Sequence, residues 1–502
     1  MTRHGGTRRQ FIAGAGGAAV AVAIGGEPAA ARPALGARGL GHPAGRGDQG
    51  MPGLPGAGEI WAEQRYLSRL APLFTGSPNH RRYVDRLEWQ LRRAGLRTQR
   101  RTLTFDYQDQ RAHGLAVDGR QLSDTGFWPY SGSTGPRGVT AALYDAGSAA
   151  APDYSGARGR IVLLQAPTPA LPLVESYALR GVYPPAEADS WPTQNRPDVF
   201  AAFTRVPDIQ AAKEAGAVGV VCIWPNVSDA AAAEQNAPFT GTPQNIPAVW
   251  VGAGNGARLK LAAAAGAKAT LTMDAPKFPG TPTDNLWAVL PGRTEDVIIV
   301  NTHTDGCNAL EENGMIGVVA LARYFARRAN EKTIVFLLST GHFGHGMVPG
   351  SEIWRKENPQ LMSRAVACVT LEHLGATEWL DDPERGVYAP TGQNQWGWAY
   401  TPLAPEASVF LQAVAGTDAT RLAAVEPLAL YFGEGHGFYA AGIPTISYLT
   451  APSYLFTSPR GGELGKLDPD KMYGEIVTFA RCVAALDTMP AASIRAFPGP
   501  QA

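Results

Sequence analysis

The sequence predicts an α/β protein: a doubly wound, mostly parallel sheet between helical layers, with a second, smaller α/β module inserted into it. Three observations lead to this prediction. Apolar runs separated by helical patterns recur after residue 285, each run is continuously apolar, and shorter strand and helix units fill residues 113 to 284. Continuous apolarity is typical of parallel strands that are covered on both faces. The expected architecture is therefore a three-layer domain interrupted by a compact module.

The N-terminal 31 residues have the features of a targeting segment. The pair Arg8 and Arg9 precedes a short stretch rich in Gly and Ala, and Ala29 with Ala31 offers a small-x-small cleavage site. The segment resembles a twin-arginine export signal, and its apolar stretch is too short to span a bilayer. We expect a signal peptide over residues 1 to 31 and a secreted protein. The alternative interpretation is a basic disordered tail.

The main domain is expected to begin after a linker. Residues 32 to 55 are dominated by Gly, Pro, Ala and Arg, a composition that predicts a disordered linker. The stretch "HRRYVDRLEWQLRRAG" then has apolar residues at helical spacing, and Gly95 stands where a helix C-cap belongs. "LRTQRRTLTFDY" alternates like an edge strand. We assign residues 56 to 112 and 285 to 490 to one domain.

Residues 113 to 284 have shorter units. "GRIVLLQ" predicts a buried strand, "PDIQAAKEAGAVGVVCIW" a helix that leads into a strand, and "IPAVWVGAGNGARLKLAAAAGAKATLTM" a strand, a helix and a strand. Short strands that alternate with helices indicate an α/β module. The segment is therefore expected to form an inserted domain.

Three chemically capable residues follow apolar runs of the main domain. His303 ends "DVIIVNTH", His342 ends "KTIVFLLSTGH", and Glu372 follows "RAVACVTL". In open α/β sheets, ligands bind outside the carboxyl ends of the strands. The three side chains are therefore expected to converge on one crevice.

The charge balance and the cysteine spacing exclude several classes of partner and of cysteine-based site. The 502 residues contain 44 Lys plus Arg and 44 Asp plus Glu, so no overall field attracts nucleic acid or an anionic membrane. The four cysteines are far apart and form no C-x-x-C pair, which excludes a zinc ribbon and a dense disulfide framework. We expect a small or neutral partner.

Several motifs together resemble the M28 zinc peptidases, which have an aminopeptidase-like α/β fold. They are "LFTGSPNHRRYVDRLEWQLRRAGLRTQRRTLTF", "LPGRTEDVIIVNTHTD", "EENGMIGVVALARYF", "PGSEIW", "VTLEHLGA" and "GHGFYAAGIPTISY". The segments "GARGRIVLLQ", "DIQAAKEAGAVGVVCIW" and "IPAVWVGAGNGARL" resemble the protease-associated (PA) domain that is often inserted in that family. The likeness covers nearly the whole mature chain in the right order.

The resemblance implies roles for several residues. Members of the family hold two zinc ions with a His, a bridging Asp, a Glu, a second Asp and a final His, and a further Glu acts as general base. By position, His303 matches the first His and Asp305 matches the aspartate that orients it. Glu311 falls at the bridging Asp, and Glu372 falls at the second Asp. These matches conserve the chemical type of each ligand.

The remaining positions depart from the family pattern. In "GHFGHGMVPGS", either His342 or His345 takes the position of the metal-binding Glu, and a glycine stands where the base belongs. Phe456, in "YLFTSP", replaces the last His. The chain thus lacks at least one metal ligand and the usual base.

These departures favour one metal ion over two. A catalytic zinc needs about three protein ligands and an open position. We expect His303, Glu311 and Glu372 to bind one zinc or another divalent ion, with His345 or His342 as a fourth ligand or a substitute base. The alternative for the pair "EE" at 311 and 312 is a solvated helix start, where acidic side chains favour the helix dipole.

Two further residues belong to a Gly-rich loop. Glu434 and His436, in "GEGHGFYAAGIP", lie where the family has its substrate-side loop. The PA-like module has no acidic cluster with ligand spacing, so it is expected to shape access to the cleft.

The leading functional hypothesis is an exported, metal-dependent hydrolase that cleaves an amide bond of a peptide or amino-acid conjugate. The base would be His342 or His345, and the mature protein would have no integral membrane segment. Two alternatives stay open: a catalytically inactive M28-like protein with a binding role, and an aminoacyl cyclase-type transferase on the same fold.

Overall fold

The computed structural model describes residues 51 to 192, 199 to 239, 243 to 459 and 461 to 494. The predicted signal peptide and residues 32 to 50 of the predicted linker lie outside the described residues. Among the helices of the described ranges, none is both long and apolar enough to cross a membrane.

The described residues form helices and strands in frequent alternation. The helices are α1 Ala57–Leu70, α2 Pro78–Arg93, α3 Leu173–Ser176, α4 Gln210–Glu214, α5 Asp229–Ala232, α6 Ala253–Ala264, α7 Gly314–Phe325, α8 Gly350–Glu357, α9 Pro359–Met362, α10 Ala404–Val414, α11 His436–Ala440, α12 Pro469–Thr488 and α13 Ala491–Ile494. Short 3₁₀ helices are Pro185–Ser190, Val199–Thr204 and Leu464–Lys466.

The strands divide between two large sheets and one hairpin. They are β1 Thr98–Gln108, β2 Ala112–Val117, β3 Arg120–Gln121, β4 Thr125–Phe127, β5 Gly135–Ser148, β6 Ile161–Gln165, β7 Tyr177–Tyr183, β8 Gly219–Ile223, β9 Ala248–Val251, β10 Lys268–Asp274, β11 Lys277–Leu290, β12 Val297–His303, β13 Thr333–Ser339, β14 Ala365–Leu371, β15 Thr377–Asp382, β16 Val387–Asn394, β17 Gly397–Tyr400, β18 Leu422–Pro427 and β19 Thr445–Thr450.

The first sheet has nine strands in the order β1-β11-β13-β12-β14-β19-β17-β18-β7. Its four central strands, β13, β12, β14 and β19, are mutually parallel. Antiparallel neighbours flank them, β11 on one side and β17 on the other. The centre is therefore the doubly wound parallel sheet that the continuous apolar runs predict, and β1 is an edge strand, as expected.

Helices cover both faces of the central strands. Alternate residues of β12, such as Ile298 and Val300, pack in a core with α1, α2, α7, α10 and α12. The intervening residues, such as Val297 and Ile299, pack in a second core with Trp354 of α8. Because every residue of β12 is buried, this strand has no solvated face, and its sequence is apolar throughout.

Helix α2 has a cap at each end, and Gly95 at its C-terminal end is the predicted one. The Ser77 side chain caps the helix by accepting a hydrogen bond from the His80 amide, and Pro78 occupies the first turn. Gly95, just past the end, has φ of +87°, a conformation that glycine adopts without steric cost.

The second sheet has eight strands in the order β3-β2-β10-β5-β6-β8-β9-β4, all from residues 112 to 274. Strands β5, β6, β8 and β9 are parallel, with α6 leading from β9 into β10. One strand of the inserted segment lies elsewhere: β7 pairs with β18 at the far edge of the first sheet. Strand β11 also runs through residue 284, the predicted domain boundary. The division into domains stays a prediction.

Candidate metal centre

The carboxyl ends of the parallel strands bring the three predicted side chains together. His303 is the last residue of β12, Glu372 directly follows β14, and His342 lies shortly after β13. Since these three strands are adjacent and parallel, their ends lie at one edge of the sheet. The expected convergence therefore occurs, and the loop between β12 and α7 adds Glu311.

The distances define a compact cluster. His303 Nε2 lies 3.7 Å from Glu311 Oε1 and 3.7 Å from Glu372 Oε2. His342 Nε2 lies 3.1 Å from Glu311 Oε1, and the imidazoles of His303 and His342 stack with centroids 3.9 Å apart. His373 Nε2 is 3.9 Å from the same oxygen of Glu311. Apart from His342, these side chains are at most 5% exposed, so water does not screen them.

Backbone carbonyls set the tautomers of two histidines. The Nδ1–H of His303 donates to the Asp305 carbonyl at 2.7 Å, and the Nδ1–H of His373 donates to the Thr450 carbonyl at 2.7 Å. A carbonyl oxygen only accepts, so the proton is on Nδ1 in both rings. Each Nε2 therefore points into the cluster with a lone pair, which is the arrangement that metal-binding histidines adopt.

Several atoms of the cluster are buried without a hydrogen bond. Among the described residues they include Nε2 of His303 and of His373, both carboxylate oxygens of Glu311, and Oε2 of Glu372. Buried polar atoms nearly always have partners, so five such atoms in one place require an explanation. A bound cation supplies one, because all five are lone-pair donors. The residues present thus fit a metal ion.

The potential ligands form two overlapping triads. One contains His303, Glu372 and His373, and the other contains His303, Glu311 and His342; the ligand atoms within each lie within 4.8 Å of one another. In the described part of the chain, Glu311 and Glu372 fall in different triads. Nitrogen and carboxylate oxygen donors are those that zinc binds in catalytic sites.

Burial shifts the protonation of these groups. Burial raises the pKa of Glu311 to about 7 and the pKa of Glu372 to about 8. Burial lowers the pKa of His373 to about 3 and holds the pKa of His303 well below its usual range, with the charge on His342 adding to the effect at His303. Without a cation, burial therefore favours neutral carboxyls at Glu311 and Glu372 and neutral imidazoles at His303 and His373.

His342 is held between two carboxylates. Its Nδ1 lies 3.0 Å from Glu434 Oε1, and the other oxygen of Glu434 accepts from the Ser339 hydroxyl at 3.1 Å. Burial alone would lower the pKa of His342, but the adjacent carboxylates of Glu311 and Glu434 raise it well above 6.5. Burial likewise opposes ionisation of Glu434, yet its bond with His342 keeps the pKa of this carboxyl below its usual range. Glu434, predicted as a substrate-side residue, thus contacts the cluster.

The carboxylate of Asp305 acts on the His342 loop and not on His303. Its oxygens accept hydrogen bonds from the Gly341 amide at 3.0 Å and the Phe343 amide at 2.8 Å, and from the hydroxyl of Thr75. The backbone carbonyl of Asp305 performs the predicted orientation of His303. Asp305 therefore fixes both imidazoles through different atoms.

The structure does not bring two of the predicted residues into the cluster. The ring of His345 packs against Tyr130, with centroids 4.8 Å apart, and burial lowers its pKa to about 3. His345 belongs to neither triad of the described residues. His436 begins α11 and packs against Tyr431, with centroids 5.8 Å apart. The backbone at His345 is left-handed, with φ of +48°, and the ring lies against Tyr130, whereas His342 enters the site.

His373 is the site residue that the sequence prediction missed. Neighbouring residues of a strand point to opposite faces, so a regular strand would place the side chains of Glu372 and His373 on opposite sides. The chain leaves the strand here, and φ of +57° at His373 turns its ring back toward His303. The adjacency "EH" after an apolar run was the available signal.

The acidic pair after the loop is not a solvated helix start. Glu311 and Glu312 are both fully buried, so that alternative is wrong. Glu312 accepts from the Leu73 amide at 3.1 Å, and burial, followed by the charge of Glu311, raises its pKa well above its usual range. Close packing requires Gly306 beside the pair, since a Cβ there would lie 1.9 Å from Glu311 Oε2.

A cavity of about 100 Å³ opens beside the cluster. His342, Glu372, His373 and Glu434 contribute to its lining, together with several aromatic rings. One of these rings is Phe456, the residue at the position of the family's last His. The cluster is thus accessible to a small group from the cavity side.

Solved structures that are similar to this chain include aminopeptidases and a peptidase M28 precursor. A zinc aminopeptidase from Bacillus subtilis has a TM-score of 0.62 and 15% identity, over 87% of this chain and 98% of that one. A peptidase M28 precursor from Shewanella amazonensis has a TM-score of 0.61 and 14% identity, over 89% and 98%. An aminopeptidase from an Aneurinibacillus species has a TM-score of 0.57 and 16% identity, over 87% and 94%.

The chain has the M28 peptidase-like fold. The predicted α/β class is therefore confirmed, and the likeness extends over nearly all of each aminopeptidase chain. No protein-family model matches the sequence, and neither does any curated protein. What the chain shares with these aminopeptidases at such low identity is the fold.

Proposed function

We propose that this chain is a metal-dependent hydrolase of the M28 type that cleaves an amide bond of a peptide or amino-acid conjugate. The observation that carries the proposal is the set of buried, unpartnered lone-pair donors on His303, Glu311, Glu372 and His373. The peptidase-like fold supports the reaction class. The metal is zinc, held by His303, Glu372 and His373, with Glu311 at the adjacent position.

One ion is favoured over two because the triads share a single donor atom. His303 uses Nδ1–H to bond the Asp305 carbonyl, so only its Nε2 lone pair is available to a metal. The triad with Glu372 and His373 consists entirely of atoms without hydrogen bonds. In the other triad, His342 is already engaged by Glu311 and Glu434. A zinc ion, when bound, polarises a carbonyl and lowers the pKa of water to about 7.

The residues around the metal position provide proton transfer and orientation. His342 lines the cavity and contacts both Glu311 and Glu434, which favour the protonated ring, so His342 can hold a proton at the cavity side and donate it there. Glu434 and Ser339 keep the ring in this orientation. His342 is therefore the proposed proton-transfer group, in place of the family's Glu.

Metal content tests the proposal directly. Purified, folded protein is expected to contain about one zinc per chain by elemental analysis, and His303→Ala or His373→Ala is expected to lose it. The matched control is His345→Ala, which removes a buried imidazole outside both triads and should leave the zinc content unchanged. A metal-free wild-type protein under zinc-replete conditions would contradict the proposal and favour the binding role.

Activity separates the two enzyme hypotheses. Zinc-loaded protein is expected to release nitroaniline from an aminoacyl-nitroanilide panel and to leave an N-terminal Gln peptide uncyclised. Cyclisation without hydrolysis would favour the transferase. His342→Ala is expected to lower kcat by about 10²-fold or more while zinc content stays the same, as loss of a general acid–base group does.

The proposal includes export by the twin-arginine pathway. It is supported by Arg8 and Arg9 in "TRRQF", which precede the apolar stretch. A route that carries folded proteins suits a chain that binds its metal before export. Replacing both arginines with Lys is expected to retain the protein inside the cell with an uncleaved N-terminus, as measured by mass spectrometry.

A further inference from the structure

Three phenylalanine rings form a stack at the wall of the cavity. Phe456 lies parallel to Phe239, with centroids 4.7 Å apart and an interplanar angle of 6°, and nearly parallel to Phe200 at 5.5 Å and 22°. Phe239 also contacts the ring of His342, with centroids 4.8 Å apart. The stack therefore begins at the proton-transfer group and extends away from it.

Two of these rings come from the inserted segment. Phe200 and Phe239 belong to residues 113 to 284, whereas Phe456 belongs to the main domain. The segment is fixed here by backbone hydrogen bonds: the Asn236 amide donates to the Phe456 carbonyl at 2.7 Å, and the Ser458 amide donates to the Glu234 carbonyl at 2.8 Å. The inserted segment is thus an integral part of the cavity wall.

The rest of the cavity favours an uncharged group. Phe432, Leu449 and Leu455 extend the apolar lining, and the acidic residues of the lining are Glu372 and Glu434. Among the described residues that line the cavity, none is a lysine or an arginine. Away from the metal position and His342, the described part of the lining therefore offers no cation to a substrate carboxylate, whereas an apolar side chain would bury its surface against rings.

We propose that this stack is the specificity pocket, and that it selects substrates with a large apolar side chain, aromatic or branched aliphatic, next to the scissile amide. The proposal rests on the proposed function, because it names the substrate class of the same site. Phe200, Phe239 and Phe456 are its specificity-determining residues. The inserted segment thereby contributes to substrate selection and does more than restrict access.

Binding of non-hydrolysable amino alcohols tests the pocket without requiring catalysis. Zinc-loaded, full-length protein is titrated calorimetrically with alaninol, leucinol and phenylalaninol, which differ only in the side chain. Leucinol and phenylalaninol are expected to bind at least about tenfold more tightly than alaninol, the discrimination that a hydrophobic pocket gives for added carbon atoms. Phe239→Ala is expected to remove most of this preference, because the affinity for leucinol and phenylalaninol falls more than the affinity for alaninol.

Two further variants test whether the preference depends on an apolar side chain at position 239. Phe239→Leu is expected to restore part of the preference, because it keeps an apolar wall. The matched control is Phe278→Ala, the same change at a ring that is 44% exposed and stacks on Tyr107 outside the cavity lining. This control should bind all three ligands like the wild type.

Equal affinities for the three alcohols in the wild type would overturn the pocket, as would a Phe239→Ala variant that loses affinity for all three equally. If the protein hydrolyses nitroanilides but binds the three alcohols with equal affinity, the result contradicts the pocket alone. If it binds leucinol and phenylalaninol more tightly than alaninol but hydrolyses no amide, the result contradicts the proposed function and leaves the pocket as a ligand site.

Discussion

The number of protons released on zinc binding follows from the two shifted carboxyls. With a pKa of about 8, Glu372 is about nine-tenths protonated at pH 7, and with a pKa of about 7, Glu311 is about half protonated. His303 and His373 are already neutral at this pH, because burial lowers their pKa values. Metal binding requires a deprotonated Glu372, and the charge of an ion beside Glu311 favours the ionised form of that carboxyl as well. Zinc should therefore displace about 1.4 protons per chain at pH 7.

The same pKa shifts determine whether the affinity for zinc rises or falls with pH. A carboxyl whose pKa is raised in the folded protein must lose its proton when the cation binds, so zinc affinity should increase with pH until about pH 8. At pH 8 the release should fall to about 0.6 protons, mostly from Glu372. With ordinary pKa values, near 4.3 for Glu and 6.5 for His, the release at pH 8 would be below about 0.1.

Isothermal titration calorimetry measures this quantity when the same titration is run in two buffers that differ in ionisation enthalpy. Glu372→Gln is expected to weaken zinc binding and to reduce the release at pH 8 by about 0.5 protons. The control Glu295→Gln removes a carboxylate that is 89% exposed and should change neither value. A wild-type release near zero at pH 8 would refute the reasoning, because it would mean that burial does not raise these pKa values.

Three further predictions test the surroundings of the ligands. Gly433→Ala should weaken zinc binding by at least about tenfold in a competition titration, because the added Cβ would lie 2.4 Å from Glu372 Oε1. Gly433 has φ of +85°, and the matched control is Gly442→Ala, where φ is +77° and the space around the residue is open. Equal effects of the two variants would point to backbone strain alone. Asp305→Ala should lower the free energy of unfolding by about 2 to 3 kcal/mol in urea, because it leaves the buried amides of Gly341 and Phe343 without acceptors. The same variant should reduce kcat more than it reduces the zinc content. An unchanged stability would contradict this account. Glu312→Gln should change stability at pH 7 by less than about 1 kcal/mol, because burial raises the pKa of this carboxyl and so favours the neutral form, which Gln resembles; a large loss would contradict this account.

The sequence by itself determined the strands and which residues follow them. Continuous apolarity is a local property, so the runs ending near His303, His342 and Glu372 identified buried parallel strands without any tertiary information. Because parallel strands have their carboxyl ends at one edge of the sheet, their convergence followed from topology alone. The α/β class was predictable for the same reason, whereas the peptidase-like fold was implied by the resemblance of the motifs to the M28 peptidases.

Only the tertiary structure decided which of the remaining groups belong to the site. Single backbone conformations oriented His373 toward the cluster and His345 away from it, and periodicity contains no information about a left-handed residue after a strand. The burial of Glu311 and Glu312 was equally inaccessible, since it depends on packing against chain segments far away in the sequence, such as the one at Leu73.

The wall of the cavity shows the same limit most clearly. Phe200 and Phe239 lie more than two hundred residues before Phe456, and nothing in their local sequence distinguishes them from core residues. Their place at the cavity depends on how the chain near residue 236 packs against the chain near residue 456, through backbone hydrogen bonds that any sequence can form. Local patterns therefore determine the elements and their ends, whereas contacts between distant segments determine the chemistry between them.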